Sequence, residues 1–141
     1  MWTFEVRTGK WYNPNGAIVV KGYAGGNCGK NPEGVNNPDL EDQPCIGPLP
    51  EGLYTFGTLI NIDPDKTKWE KPHLGPHAIP LIPDPSNNMK GRSGFFIHGD
   101  TTPSGNASEG CIILNRPYRD AAAASPDQQV KVVADFTSDM V

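Results

Sequence analysis

The sequence predicts a mainly β domain: a mixed sheet or sandwich with long loops and one short helix. Three observations carry this. The chain holds 16 Gly and 15 Pro among 141 residues, a density of turn formers that leaves little room for helices. Its apolar residues fall in short alternating or β-branched runs, the pattern of strands. One segment alone, residues 115–124, carries a helical start, body and stop.

Trp2, Phe4 and Val6 alternate with Thr3, Glu5 and Arg7, as in a half-buried strand. Thr8-Gly9-Lys10 turns the chain toward Trp11 and Tyr12, and Asn13-Pro14-Asn15-Gly16 is a second turn. Residues 17–23 are rich in β-branched side chains and read as a strand. Residues 24–50 form a polar loop of a length that, inside a compact domain, often signals function. Strands follow at 53–62 and, limited by Pro80 and Pro83, at 78–82, with a loop at 63–76 between them. Residues 94–98 and 111–114 are short, dense strands. The helix opens at Asn115 or Arg116 with Pro117 in its first turn and stops at Ser125-Pro126. Residues 129–136 alternate again as a last strand. No repeat or linker divides the chain, so residues 1–141 are read as one domain.

A net charge of −4 gives no electrostatic support for a nucleic-acid partner. No apolar run approaches the roughly 20 residues of a membrane helix, so no membrane insertion is expected. The start, MWTFEVRTGK, lacks a basic stretch followed by a long apolar one. The expectation is synthesis in the cytoplasm without a signal peptide. Cys28, Cys45 and Cys111 are odd in number, so at least one is unpaired in a monomer. A Cys28–Cys45 bridge and three reduced thiols both remain open.

The segment FFIHGDTTPSGNASEGCIIL raises the chemical question. His98 ends one apolar run and Cys111 begins the next. If the two strands are neighbours, an imidazole meets a thiol at the rim of a sheet. A free thiol is only slightly ionised at neutral pH, and an adjacent base removes that limit. Gly110 permits close approach of a substrate, and amides between Ser108 and Cys111 are candidates for holding an oxyanion. On residue types alone, a buried structural cysteine and a locally bonded histidine are the commoner outcomes. The joined pattern, His-Gly-Asp, loop, Ser-x-Gly-Cys, shifts the balance. Other clusters carry less. Pro72, Gly75 and Pro76 break any helix that would align His73 with His77 for zinc. Asp63-Pro64-Asp65 lacks the remaining ligands of a calcium loop. The glycines at 22–29 lack the setting of a nucleotide site. Neither a metal nor a cofactor is expected, and Trp2, Trp11 and Trp69 read as core or rim aromatics.

IHGD…ASEGCI resembles the active-site motif of YkuD-type L,D-transpeptidases, a histidine, a loop, then Ser/Thr-x-Gly-Cys. IGPLPEGLYTFG (46–57) is similar to a Pro-x-Gly-x-Tyr/Phe segment of that family. More of the chain resembles the type VI secretion L,D-transpeptidase effectors: WTFEVRTG (2–9), KGYAGG (21–26), GVNNPDLEDQPCIGPLPEGLYTFG (34–57), LGPHAIPLIPDP (74–85), GRSGFFIHGD (91–100) and ASEGCIIL (107–114), in order.

The resemblance implies Cys111 as nucleophile and His98 as general base. It implies support from Gly110, Ser108, Asp100 and Ser93, and substrate contacts from Arg92 and Gly99. The implied substrate is the peptide stem of peptidoglycan, cleaved before its terminal D-alanine or exchanged for another D-amino acid through a thioester. A secreted antibacterial protein working in the periplasm of target bacteria follows, with a cognate immunity protein and a delivery protein as partners. The broader family often has Arg or Asn two residues after the cysteine. Here Ile113 stands there, so that role is absent or falls to Arg92 or Arg116. Two other readings stay open: a non-catalytic wall-binding or adaptor module on the same fold, and a sortase-like cysteine peptidase. The latter wants a late strand arginine, whereas Arg116 and Arg119 fall in the predicted helix.

Overall fold

The computed structural model describes residues 1–100 and 105–136. Strands β1 (Trp2–Glu5), β2 (Lys10–Tyr12), β3 (Ile18–Lys21) and β4 (Tyr23–Ala24) open the chain. After the long loop come β5 (Gly52–Phe56), β6 (Ile79–Pro83), β7 (Phe96–His98) and β8 (Ile112–Ile113). Helix α1 (Arg116–Ala124) and β9 (Gln129–Val133) close it. The nine strands form one sheet in the order β3-β2-β1-β9-β5-β6-β7-β8-β4. Two pairs, β1 with β9 and β7 with β8, are parallel, and the other pairs are antiparallel.

The two edges of that order, β3 and β4, are separated in sequence by Gly22 alone. The sheet therefore curls until its edges nearly meet. Gly22 is forced by this closure, since a Cβ there would lie 2.1 Å from the Ile113 carbonyl oxygen. The mainly β fold with one short helix is the one the sequence predicts, and the helix keeps its expected bounds.

Inside the curl, Trp2 stacks on Trp11 at 5.4 Å between ring centroids. Phe4, Tyr54, Ile79, Ile97, Ile112 and Val132 fill the rest of the core. Alternation in β1 and β9 is what aims Trp2, Phe4, Val130 and Val132 inward. Tyr54 explains the Pro-x-Gly-x-Tyr segment: its buried hydroxyl donates to the Pro50 carbonyl at 2.6 Å. Gly52 takes φ +146 so that the chain can pass Asn87.

Three strand predictions change. The strand expected over 17–23 is broken at Gly22, where the chain crosses from one sheet edge to the other. The one expected over 53–62 ends at Phe56, and only Ile60 pairs again, as a bridge to Ala78. The last strand ends at Val133, and Phe136 instead packs edge-on against Tyr12. Ile82 on β6 and Ile18 on β3 stay exposed.

The loop over 24–50 is a wall rather than a floppy excursion. It holds two 3-10 turns, Pro32–Gly34 and Pro38–Leu40. The backbone bond Gly26 N–H to Ile46 O (2.8 Å) ties its two ends together, and Leu49 N–H to Gly110 O (2.9 Å) and Cys28 N–H to Ser108 O (3.0 Å) pin it beside the segment that leads into β8.

Candidate functional site

Strands β7 and β8 pair in parallel register, Ile97 with Ile112 and His98 with Ile113. One step back along both strands, Cys111 sits beside Phe96, and its Sγ accepts the Phe96 N–H at 3.4 Å. Phe96 and His98 are two residues apart and share one face of β7. Cys111 and His98 are thus offset by two residues along the ladder, and both line a cleft of about 710 Å³ together with His73, Arg92, Glu109 and Lys71.

His98 is 3% exposed. Its Nδ1 lies 3.0 Å from the Gly99 carbonyl oxygen. A carbonyl only accepts, so Nδ1 carries the proton and Nε2 keeps its lone pair. Burial pulls the imidazole down to about 4, the Gly99 bond opposing and nearby Arg119 and His73 reinforcing. Burial also pushes the Cys111 thiol up to about 11, against the Phe96 N–H and with the Glu109 charge. The resting pair is a neutral imidazole and a protonated thiol, with no hydrogen bond between them among the described residues.

These shifts make stability depend on pH. His98 falls from 6.5 unfolded to about 4 folded. Its share is present in full above pH 6.5 and is lost as the pH falls toward 4, about 3 kcal/mol in all. Urea unfolding between pH 4 and 8 is expected to show a shallower acid-side loss for His98→Gln than for the wild type.

Ser108 fixes the backbone that leads into Cys111. It is 1% exposed. Its Oγ donates to the Cys111 carbonyl at 2.7 Å and accepts from Gly25 N–H at 2.8 Å and Gly110 N–H at 3.0 Å. The Gly110 amide is therefore engaged and does not face the cleft as an oxyanion donor; the Cys111 amide lies beside its own sulfur. Gly110 is required for another reason. Its φ is +132, and a Cβ would lie 2.6 Å from Arg92 Nη2 and 2.8 Å from Phe95 Cε1. Gly110→Ala is expected to cost about 3 kcal/mol, read as a lower melting temperature; an unchanged melt would contradict this packing.

Arg92 lines the cleft, but its guanidinium works inward. It is 8% exposed and donates to the carbonyls of Glu41 (2.7 Å), Pro48 (2.7 Å), Gly47 (3.1 Å) and Glu109 (3.2 Å). It clamps the 24–50 wall to the Cys111 loop rather than offering itself to a substrate carboxylate. Asp100 lies just beyond β7. Its carboxylate accepts from the Tyr23 hydroxyl at 2.6 Å and from Gly105 N–H at 3.0 Å, and it is the Gly99 carbonyl that orients the His98 ring. Gly99 packs against Arg119, whose Nη1 would lie 3.1 Å from an added Cβ. Ser93 is exposed on the cleft rim. Arg116, the other arginine weighed as a substitute at position 113, lines a second cavity of about 860 Å³ and pairs with Asp120 at 3.6 Å.

Three cleft residues escaped the sequence reading. His73 lies between the two cavities and lines both. Lys71 places Nζ 4.7 Å from the Phe96 ring centroid. Glu109 faces the Cys28 and Cys45 sulfurs. Nothing in local pattern marks them, because the loops that carry them meet only in three dimensions. His77, set aside as a zinc ligand, contacts Asp120 through Nδ1 at 2.7 Å. Among the described residues no group of three or more His, Cys, Asp or Glu is placed to hold a metal ion, and no helix is long and apolar enough to cross a membrane.

No curated protein and no solved structure gives a significant match to this chain. Residues 19–135, which include both cavities' strands and Cys111 with His98, match the family model of the Tlde1 domain. The chain therefore belongs to the Tlde1 domain family of type VI secretion effectors.

Proposed function

We propose that this effector is a cysteine L,D-carboxypeptidase and L,D-transpeptidase acting on the peptide stems of peptidoglycan. The observation that carries the reading is the meeting of Cys111 and His98 in one cleft, with His98 Nε2 unprotonated and its ring oriented through Nδ1 by Gly99. The substrate class comes from the motif resemblance and from membership of an effector family.

In this mechanism the Cys111 proton passes to His98 Nε2 as Sγ attacks the carbonyl of the third stem residue. The new C–S bond leaves an oxyanion, which the Cys111 amide N–H stabilises. The intermediate collapses, breaking the C–N bond, and the D-alanine amine takes the proton back from Nε2. A thioester remains. Water resolves it to a tripeptide; the amine of a D-amino acid resolves it to an exchanged stem. Because the resting thiol is protonated, the thiolate is not stored in the free site, and Sγ gives its proton to His98 Nε2 in the attack itself.

A wall-attacking effector of this kind calls for a delivery protein, for action in the periplasm of target bacteria, and for an immunity protein that plugs the cleft. The test is mass spectrometry of purified tetrapeptide muropeptides incubated with the chain, with and without a D-amino acid. Tripeptide and exchanged tetrapeptide are expected, and unaltered stems would reject the activity.

A second reading has its own support. Ile113 stands where many of the broader L,D-transpeptidases have Arg or Asn, and no hydrogen bond joins His98 to Cys111 in the resting site among the described residues, which suits a wall-binding module without turnover. Intact-mass analysis separates the two. A catalytic Cys111 carries a hydroxylamine-sensitive stem thioester after incubation with a tetrapeptide stem, whereas a binding module holds the stem without gaining that mass.

A further inference from the structure

Two cysteines outside the reaction centre share one acid. Cys28 Sγ lies 3.6 Å from Glu109 Oε1, and Cys45 Sγ lies 4.0 Å from Glu109 Oε2. Both thiols are free and exposed, and both line the mouth of the cleft that holds Cys111. The loops that carry them are already joined nearby, through Gly26 N–H and the Ile46 carbonyl at 2.8 Å. Both cysteines also occupy backbone positions at φ +54 and +67, where glycine or asparagine is the ordinary occupant and a cysteine is a costly choice. Tight turns therefore present two thiols to one point.

We propose that Cys28 and Cys45 are a disulfide-forming pair that closes when the chain meets an oxidising environment and ties the two ends of the 24–50 wall together at the cleft mouth. The oxidant is a small-molecule or protein disulfide, and the exchange is balanced. The Cys28 thiol loses its proton and attacks the oxidant's disulfide, forming a mixed disulfide and releasing one thiolate. The Cys45 thiol loses its proton and attacks Cys28 Sγ, forming the Cys28–Cys45 bond and releasing the second thiolate. Two cysteine thiols are oxidised and one external disulfide is reduced to two thiols. Glu109 is exposed and swings out from between the sulfurs as they close. Cys111, half-buried and bonded to Phe96 N–H, stays out of the bridge.

The consequence suits a protein made reduced and used outside. In the reduced chain the wall is held by noncovalent contacts, hydrogen bonds and the burial of Ala24 and Leu49 in the core. The bridge joins positions 17 residues apart, and a loop of that size constrains the unfolded chain enough to raise the melting temperature by about 10 °C. It also removes two competing thiols from beside the nucleophile. The inference does not rest on the peptidoglycan reading, and its test does not use that activity.

The full chain is equilibrated with oxidised glutathione, its remaining thiols are alkylated, and it is digested with trypsin without reduction. The expected product links fragment 22–30, which contains Cys28, to fragment 31–66, which contains Cys45. One thiol per chain is alkylated, in fragment 93–119, which contains Cys111. The oxidised chain melts about 10 °C above the reduced one, and Cys28→Ser or Cys45→Ser abolishes both the linked fragment and the rise. Three alkylated thiols, a linked fragment containing Cys111, or a Cys28–Cys45 bond without a rise in melting temperature would each overturn the proposal.

Discussion

Cys111→Ala is expected to release no D-alanine from tetrapeptide stems while folding as the wild type does. Removing the nucleophile of a covalent mechanism lowers turnover by at least about 10⁴-fold, because the remaining imidazole and amide have no thioester to form. The effect on the fold is small. The sulfur is half-buried and accepts one long bond from Phe96 N–H, worth about 1 kcal/mol or less. Circular dichroism and a melt near the wild-type temperature check the fold, and mass spectrometry of the stems checks the chemistry. Full D-alanine release by the variant would remove Cys111 from the mechanism.

Arg92→Lys is expected to lower the melting temperature by about 10 °C, although it keeps the charge. The guanidinium spans four carbonyls on two segments, three from residues 41–48 and one from Glu109, and faces the Phe95 ring at 5.1 Å. A lysine offers its donors from a single point and cannot reproduce that fork. One or two buried carbonyls lose their partner at about 1–3 kcal/mol each, and a domain of this size loses roughly 2–4 °C per kcal/mol. The same change discriminates two roles. If Arg92 bound a substrate carboxylate directly, as the family resemblance implies, the variant would raise KM at unchanged stability. As a clamp on the Glu109–Cys111 approach, it loses stability and kcat together.

The elements that were legible in the sequence are those whose signals are local. Alternation at Trp2, Phe4 and Val6 is a property of neighbouring residues, as is the run Asn115-Arg116-Pro117 that starts α1. The failures share a cause as well. The stretch 53–62 has strand composition throughout, yet only Gly52–Phe56 finds a partner in β9 and β6, and pairing is decided by what lies alongside. The 17–23 run is rich in β-branched residues and reads as one strand, but it must cross from one edge of a closing sheet to the other, and Gly22 is the residue that lets it.

The site divides the same way. His98 and Cys111 were visible because each borders a strand and their spacing forms a pattern along the chain. The roles around them were not. Ser108 reads as a loop serine, and only the fold turns its hydroxyl into a three-way clamp. Asp100 reads equally as a supporting residue of the site or as a turn former, and only the fold shows that Tyr23, 77 residues away in sequence, donates to its Oδ1. The sequence by itself determined the strand-rich class, the single helix and the two residues for which the chemistry is proposed. The tertiary structure alone decided which charges face the cleft, which arginine is spent on carbonyls, and which two thiols meet at one acid. Periodicity and turn chemistry are written in consecutive residues, whereas burial, hydrogen-bond partners and proton affinities are set by atoms that folding brings from elsewhere in the chain.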